Sequence, residues 1–296
     1  MTPAANPAAP GRCAVLARAV DEPVAGTAPQ AARWVALEHR GAWPRDINAH
    51  PDPSVSGFAA RASAAGWRPL LIRRPGRREP AGPTRVVLAD TAPGTTRATQ
   101  LTVAGPRELG AVPLPSTGPL PGETLHDPLL LVCTHGRRDR CCAVNGRRLA
   151  LAVTAVGEPD VWECSHLGGH RFAPTALVLP TGYLYGRLDP GTAISARKAA
   201  ALGEVEVGLS RGRSTWSAAG QVAELAVRDA TGLRDADALT LDPLARPGTV
   251  VVHGPSGRRW AVEVAERPGT EPRPASCGIA ALPFVALHAA AVTPLS

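Results

Sequence analysis

Short apolar runs, each stopped by proline or glycine, recur along the chain and set its expected elements. After an Ala/Pro-rich tail expected to be disordered (1–12), the turn Gly26-Thr27-Ala28-Pro29 leads into the apolar run 31–37, and 39–46 reads as a loop. The runs 69–72, 85–89 and 100–103 have strand length and aliphatic or β-branched content. The Pro/Gly-rich stretch 105–127 lacks periodicity and reads as a linker. Beyond it the pattern alternates more cleanly: a strand at 128–133, helical spacing over 145–156, and a strand at 160–164. A hairpin of 175–179 with 183–188 follows, then a helix at 192–204 with Thr192 as its N-cap. Ser214 or Thr215 is expected to cap a further helix ending at Thr231-Gly232, and 249–253 with 259–264 forms a last hairpin. A faint echo, RPLLIRRPGRR at 68–78 against DPLLLVCTHGRR at 127–138, suggests that the first block is a degenerate copy of the second, without ligands.

These elements predict an α/β protein: an N-terminal α/β domain (13–104), the linker, a compact α/β domain (128–205) and a C-terminal helix-plus-hairpin extension (206–296). At 296 residues and 44% hydrophobic, the chain can bury a sizeable core, which must be built from Ala, Val and Leu because only 4% is aromatic. The formal charge of +7 rests on arginine, Lys198 being the only lysine. No arginine-rich run is interleaved with stacking aromatics, so nucleic acid is not an expected partner; a basic face suits docking of an acidic redox protein. The N-terminus lacks a charged segment followed by an apolar one, and 279–292 is too short and too broken by Pro283 and His288 to span a bilayer. A soluble cytoplasmic protein is expected, with no membrane association.

Four of the six cysteines, Cys133, Cys141, Cys142 and Cys164, lie in one stretch with His135, His166 and His170. Such clustering suggests ligands rather than a disulfide framework. Cys133 ends an apolar strand, and Cys142 follows too far behind for a C-x-x-C knuckle. His166 and His170 flank Leu167-Gly168-Gly169, whose glycines permit close backbone approach to a bound centre. Spacing alone leaves iron–sulfur and tetrahedral zinc ligation both open, and does not separate Cys141 from Cys142. Cys13 and Cys277 read as small buried hydrophobes, Cys164 as core, and His135 as a loop residue or a donor behind the ligands. Arg137, Arg138, Arg140, Arg171 and Arg187 read as a solvated basic face around this region.

The stretches CTHGRRDRCC and SHLGGHRFAPTALVLPTGYLYGRL resemble the sucrase/ferredoxin-like family, whose C-terminal part is similar to thioredoxin-like 2Fe–2S ferredoxins. The family's pattern, a cysteine followed nine positions on by a second and then H-x-G-G-H, falls on Cys133, Cys142, His166 and His170. The resemblance is strong over 127–204 and extends weakly to Trp34 and Gly41-Ala42-Trp43; Pro-Ala-Ser-Cys-Gly at 274–278 resembles a bacterial subgroup. It implies a thioredoxin-like domain holding a 2Fe–2S cluster through two cysteines and two histidines. The implied activity is passage of single electrons, with proton coupling open to the imidazole ligands, to or from a flavin-dependent reductase or another ferredoxin. An electron carrier is favoured over a catalyst in its own right, and the enzyme question stays open at this point. A zinc-stabilised binding module and a thioredoxin-like thiol oxidoreductase are the alternatives.

Other motifs carry less. Gly208-Leu209-Ser210-Arg211-Gly212 matches a nucleophile elbow in letters only, since the required strand–serine–helix context is not expected there. No carboxylate pair set for glycoside hydrolysis stands out, and no dinucleotide or phosphate loop is present.

Overall fold

The computed structural model describes residues 12–76, 82–242 and 248–295. The expected disordered tail falls almost wholly outside them. The described chain forms a mixed α/β fold with a ten-stranded curled sheet and a second sheet of four strands.

The large sheet is built from one unit used twice. In the first, β1 (Arg33–Glu38) runs through α2 (Pro53–Ala64) to the parallel β2 (Arg68–Arg73), and β3 (Thr84–Asp90) and β4 (Arg97–Val103) then add antiparallel on β1's other side. In the second, β6 (Leu129–Cys133) runs through α3 (Arg147–Ala155) to the parallel β7 (Val161–Cys164), and β8 (Ala176–Leu179) and β9 (Tyr183–Tyr185) add antiparallel on β6's other side. The copies join antiparallel where Ile72 faces Cys164 and Arg73 faces Glu163. The two halves therefore share a topology, but the sequence echo does not follow it: the echo sets β2 against β6, whereas the topology equates β1 with β6.

The stretch 105–127 is packed. A 3-10 helix at Pro106–Ala111 lies against α2, Leu109 and Val112 are buried, and β5 (Glu123–Thr124) pairs with β4. The short α1 (Cys13–Ala19) precedes the first unit.

Both faces of the sheet are covered, which explains why its central strands read as continuous apolar runs rather than alternating ones. One face takes α2 in the first unit, against Val35 and Leu37, and α3 with α4 (Pro190–Ala201) in the second, against Leu130 and Val132. The opposite face gathers Trp34, Ala36, Leu70, Ile72, Leu129 and Leu131 with five cysteines. The ligand candidates thus belong to a core face of the sheet.

Three local expectations differ from the fold. Helix α4 starts earlier than expected, with Asp189, not Thr192, as its N-cap, because the Asp189 carboxylate accepts from the Thr192 N–H at 3.0 Å. Ser214 and Thr215 cap nothing; Ser217 caps α5 (Ala218–Thr231), and the residues before it form β10 (Ser210–Arg213), paired with β9. Ser210 thus opens a buried strand, and no nucleophile elbow exists there. The C-terminal sheet, β11 (Thr240–Leu241), β12 (Thr249–His253), β13 (Arg259–Pro268) and β14 (Val285–Leu295), packs on α5.

Candidate metal centre

Cys133 ends β6 beside Cys164 of β7, in parallel register. Its carbonyl lies against Gly146, where a Cβ would come within 2.0 Å of that oxygen. This close approach lays a π-helical turn, Cys142–Gly146, across the strand end and brings Cys142 to Cys133. His166 follows β7 directly, and Gly168 (φ +80°) and Gly169 (φ +68°) turn the chain so that His170 opens a 3-10 helix. Both glycines occupy the left-handed region that other residues enter at a cost of about 1–2 kcal/mol.

The four candidates form a chain of neighbours, Cys142 with Cys133, Cys133 with His166, and His166 with His170. The Cys142 thiol hydrogen-bonds to Cys133 and, despite complete burial, draws it well below the usual thiol range; His166 and the N–H groups of His135 and Leu167 add to this. Cys142 is pushed up in turn, by donating to Cys133 and by burial. The His166 and His170 rings stack with centroids 5.3 Å apart. Burial lowers His170, keeping its imidazole neutral and able to donate a lone pair. Both sulfurs are buried, whereas the two rings are only half-buried.

His166 Nδ1 and His170 Nδ1 are buried and make no hydrogen bond. Leaving such an atom unsatisfied costs about 1–3 kcal/mol, which ligation to a metal would remove. Two unpartnered imidazole nitrogens beside two buried cysteines are the donor set that mixed iron–sulfur ligation uses.

The neighbours sort as follows. Cys164 is fully buried, and burial pushes its thiol well up, as fits a core residue. His135 is buried edge-on to Trp43, ring centroids 6.0 Å apart, and its nitrogens face the Pro44 carbonyl without good hydrogen-bond geometry. A cavity of about 190 Å³ connects His135, His166 and Arg138 to Pro44, Arg45 and Asp46, so the first unit walls the second unit's site.

Among the arginines, Arg171 pairs with Glu22 at 2.8 Å and Arg187 donates to the carbonyls of Ala17 and Glu22; they fasten segments rather than form a free basic face. The arginine that approaches the site most intimately is one the sequence reading missed. Arg211, fully buried in β10, donates to the Gly168 carbonyl at 3.0 Å, to Thr27 Oγ1 at 3.1 Å and to the Thr27 carbonyl. Burial and Arg171 lower it to about 9, while Cys133 and Cys142 pull the other way. Its only sequence signal is an Arg inside the motif set aside as a false elbow.

Cys13 and Cys277 do not behave as isolated hydrophobes. Their sulfurs lie 3.6 Å apart, and Cys141 Sγ lies 3.7 Å from Cys13 and 3.4 Å from Cys277. Asp139 completes a group whose ligand atoms all fall within 4.8 Å of one another. Cys141 is drawn down to about 6, chiefly by the hydrogen bond from Cys13. Cys141 thus belongs to a different set from Cys142.

Fold and site together define an α/β protein with a buried thiol–imidazole constellation at the end of a central strand. The chain belongs to the sucrase/ferredoxin-like family, whose model matches residues 24–196. That match spans both sheet units, not the second alone. No curated protein and no solved structure gave a match. No helix among the described residues is long and apolar enough to cross a membrane.

Proposed function

We propose that the chain is a one-electron carrier whose 2Fe–2S cluster is held by Cys133 and Cys142 on one iron and by His166 and His170 on the other. The observation that carries this reading is the adjacency of two buried, hydrogen-bonded cysteines and two stacked imidazoles whose buried Nδ1 atoms lack partners. When bound, the cluster would supply reversible uptake of one electron at a potential above that of all-cysteine ferredoxins, because two neutral imidazoles replace two anionic thiolates.

The chain's own residues have separable tasks in this proposal. The N–H groups of His135 and Leu167 stabilise negative charge on the Cys133 sulfur. Arg211 holds the Gly168 carbonyl and so fixes the loop between the two histidines. The strand end, the π-helical turn and the sheet face exclude water from both sulfurs, while the half-buried rings leave a face toward the surface for proton exchange. A reductase or a ferredoxin would dock on that imidazole face, beside the cavity walled by the 44–46 loop.

The test is an absorption spectrum of protein purified without air. Visible bands that bleach on reduction support the cluster. A colourless sample with zinc in place of iron at Cys133 and Cys142 overturns it in favour of a binding module. A colourless, metal-free protein with a reactive Cys133 thiol overturns it in favour of thiol chemistry.

A further inference from the structure

We propose a second metal site, distinct from the Cys133/Cys142/His166/His170 set: a structural zinc ion bound by Cys13, Cys141 and Cys277, with Asp139 as fourth donor.

The geometry points to an ion rather than to chance packing. Zinc–thiolate bonds of about 2.3 Å and zinc–carboxylate bonds of about 2.1 Å, set tetrahedrally, place sulfurs about 3.8 Å apart and sulfur and oxygen about 3.6 Å apart. The three sulfur–sulfur separations are 3.4, 3.6 and 3.7 Å, and Cys13 Sγ lies 3.6 Å from each Asp139 oxygen. No pair is disulfide-bonded. A soft three-thiolate set with one hard oxygen suits zinc, and rules against magnesium or calcium, which take oxygen ligands.

Asp139 is aimed by its surroundings. Its Oδ1 accepts from the Cys141 N–H at 2.7 Å, and its Oδ2 accepts from the Cys277 N–H at 2.7 Å and Ser276 Oγ at 2.9 Å. A carboxylate has about four lone-pair positions, so one on Oδ1 is left for a metal. The same bonds hold the two ligand-bearing backbones in place.

The ligands come from three distant parts of the chain, which explains what the site does. Cys13 lies on α1, Cys141 precedes the π-helical turn that carries Cys142, and Cys277 lies in the connection between β13 and β14. Glu22, nine residues after Cys13, binds both Arg171 and Arg273, and Arg273 lies four residues before Cys277, so these pairs pin the same segments. One ion would bind both terminal regions to the loop of the first centre. Zinc has no redox chemistry, so the site would fasten rather than react.

The experiment measures zinc and iron per chain by elemental analysis in the full-length protein, produced with zinc supplied, purified without air and freed of loose metal. The wild type is expected to hold about one zinc per chain. Cys13→Ala/Cys277→Ala should lose that zinc and keep its iron, while Cys133→Ala/Cys142→Ala should lose iron and keep zinc. Cys277→Ser, at a half-exposed position, gives the same readout should the double variant fail to fold. The proposal is overturned if the folded wild type takes up no zinc, if zinc survives removal of Cys13 and Cys277, if iron leaves with them, or if mass spectrometry finds a disulfide among the three thiols. Loss of iron signal in the wild type with zinc retained at Cys13 and Cys277 would count against the electron-carrier reading alone.

Discussion

Asp139 Oδ2 lies 3.9 Å from His170 Nε2, so this carboxylate touches both the Cys13/Cys141/Cys277 group and the second histidine candidate. His170 Nδ1 is buried without a hydrogen-bond partner, and Nε2 is the ring nitrogen that faces this carboxylate. Burial would raise Asp139, but the N–H groups of Cys277 and Cys141 outweigh it and keep the group ionised. Its negative charge makes addition of an electron nearby less favourable. With the zinc content unchanged, Asp139→Asn should therefore raise the midpoint potential by tens of millivolts, on the order expected for one charge several ångströms away at an intermediate dielectric. Redox titration under dye mediation measures it; an unchanged or lower potential contradicts the placement.

His166→Cys and His170→Cys test the ligands themselves. Each exchange adds a thiolate's negative charge to the iron it binds, so each variant should retain visible absorption yet show a potential lowered toward the all-cysteine range of about −400 mV. Each also removes a titratable ring, so the dependence of potential on pH should weaken in either variant. An unaltered potential would mean the exchanged histidine is no ligand.

How far the sequence announced all this varies by element. The strands at 69–72, 128–133 and 160–164 were legible because burial on both faces leaves uninterrupted apolar runs. The meeting of Cys133 with the LGGH loop follows from the parallel pairing of β6 with β7, which a strand–helix–strand pattern implies. Strand β10, Ser-Arg-Gly-Arg, was illegible: it is buried in full yet contains no apolar residue, since its arginines are satisfied by carbonyls and by Asp237 rather than by water. Helix α2 went unread because its PSVSGFAARASA sequence is rich in small and polar residues. The Cys13/Cys141/Cys277 group was out of reach for a different reason. Its members are separated by more than a hundred residues, and only the tertiary fold makes lone cysteines into neighbours.

Arg211 supports both the loop and the field around it. Arg211→Met removes a buried positive charge beside Cys133 and Cys142, so the potential should fall, opposite in sign to Asp139→Asn. It also strands the Gly168 and Thr27 carbonyls, a loss of about 2–4 kcal/mol in stability. Arg211→Lys should keep most of the potential, because it keeps the charge, but not the stability, because one ammonium cannot reach all three acceptors in the fork geometry of a guanidinium. Urea denaturation and redox titration of both variants check this; recovery of stability in the lysine variant would reduce Arg211 to a bare charge.

In the first unit, the connection after β1 carries an imidazole pair where the second unit carries thiols: His39 Nε2 and His50 Nε2 lie 3.2 Å apart. Burial, then His50, lowers His39 to about 4, with Arg73 acting the same way and Asp52 opposing. The unfolded chain, with an ordinary histidine near 6.5, binds the proton more readily. This stability is fully present above about pH 6.5 and is lost as pH falls toward about 4, at no more than about 1.4 kcal/mol per pH unit and less for a half-exposed ring. His135 and His170, both lowered by burial, contribute in the same direction. His39→Gln should therefore reduce the acid slope without abolishing it, which chemical denaturation across that range would show; an identical slope would remove His39 from the account.

Gly146 gives the sharpest contrast between local preference and tertiary constraint. Its backbone is right-handed helical (φ −63°, ψ −44°), so alanine there should favour the helix by about 1 kcal/mol were the site open. A Cβ would instead lie 2.0 Å from the Cys133 carbonyl oxygen and 3.0 Å from its carbon, both backbone atoms that no rotamer change can move. Relief requires the π-helical turn to lift off the end of β6, carrying Cys142 away from Cys133. Gly146→Ala is expected to cost about 1–3 kcal/mol, as overpacked cores do, and to lose the iron signal. Gly57 in α2 is the control: it is exposed, and nothing lies within 4 Å of its Cβ position, so Gly57→Ala should stabilise the protein slightly and leave metal content unchanged. Equal behaviour of the two variants in denaturation and elemental analysis would mean that the contact between Gly146 and Cys133 does not set the distance between the two sulfurs.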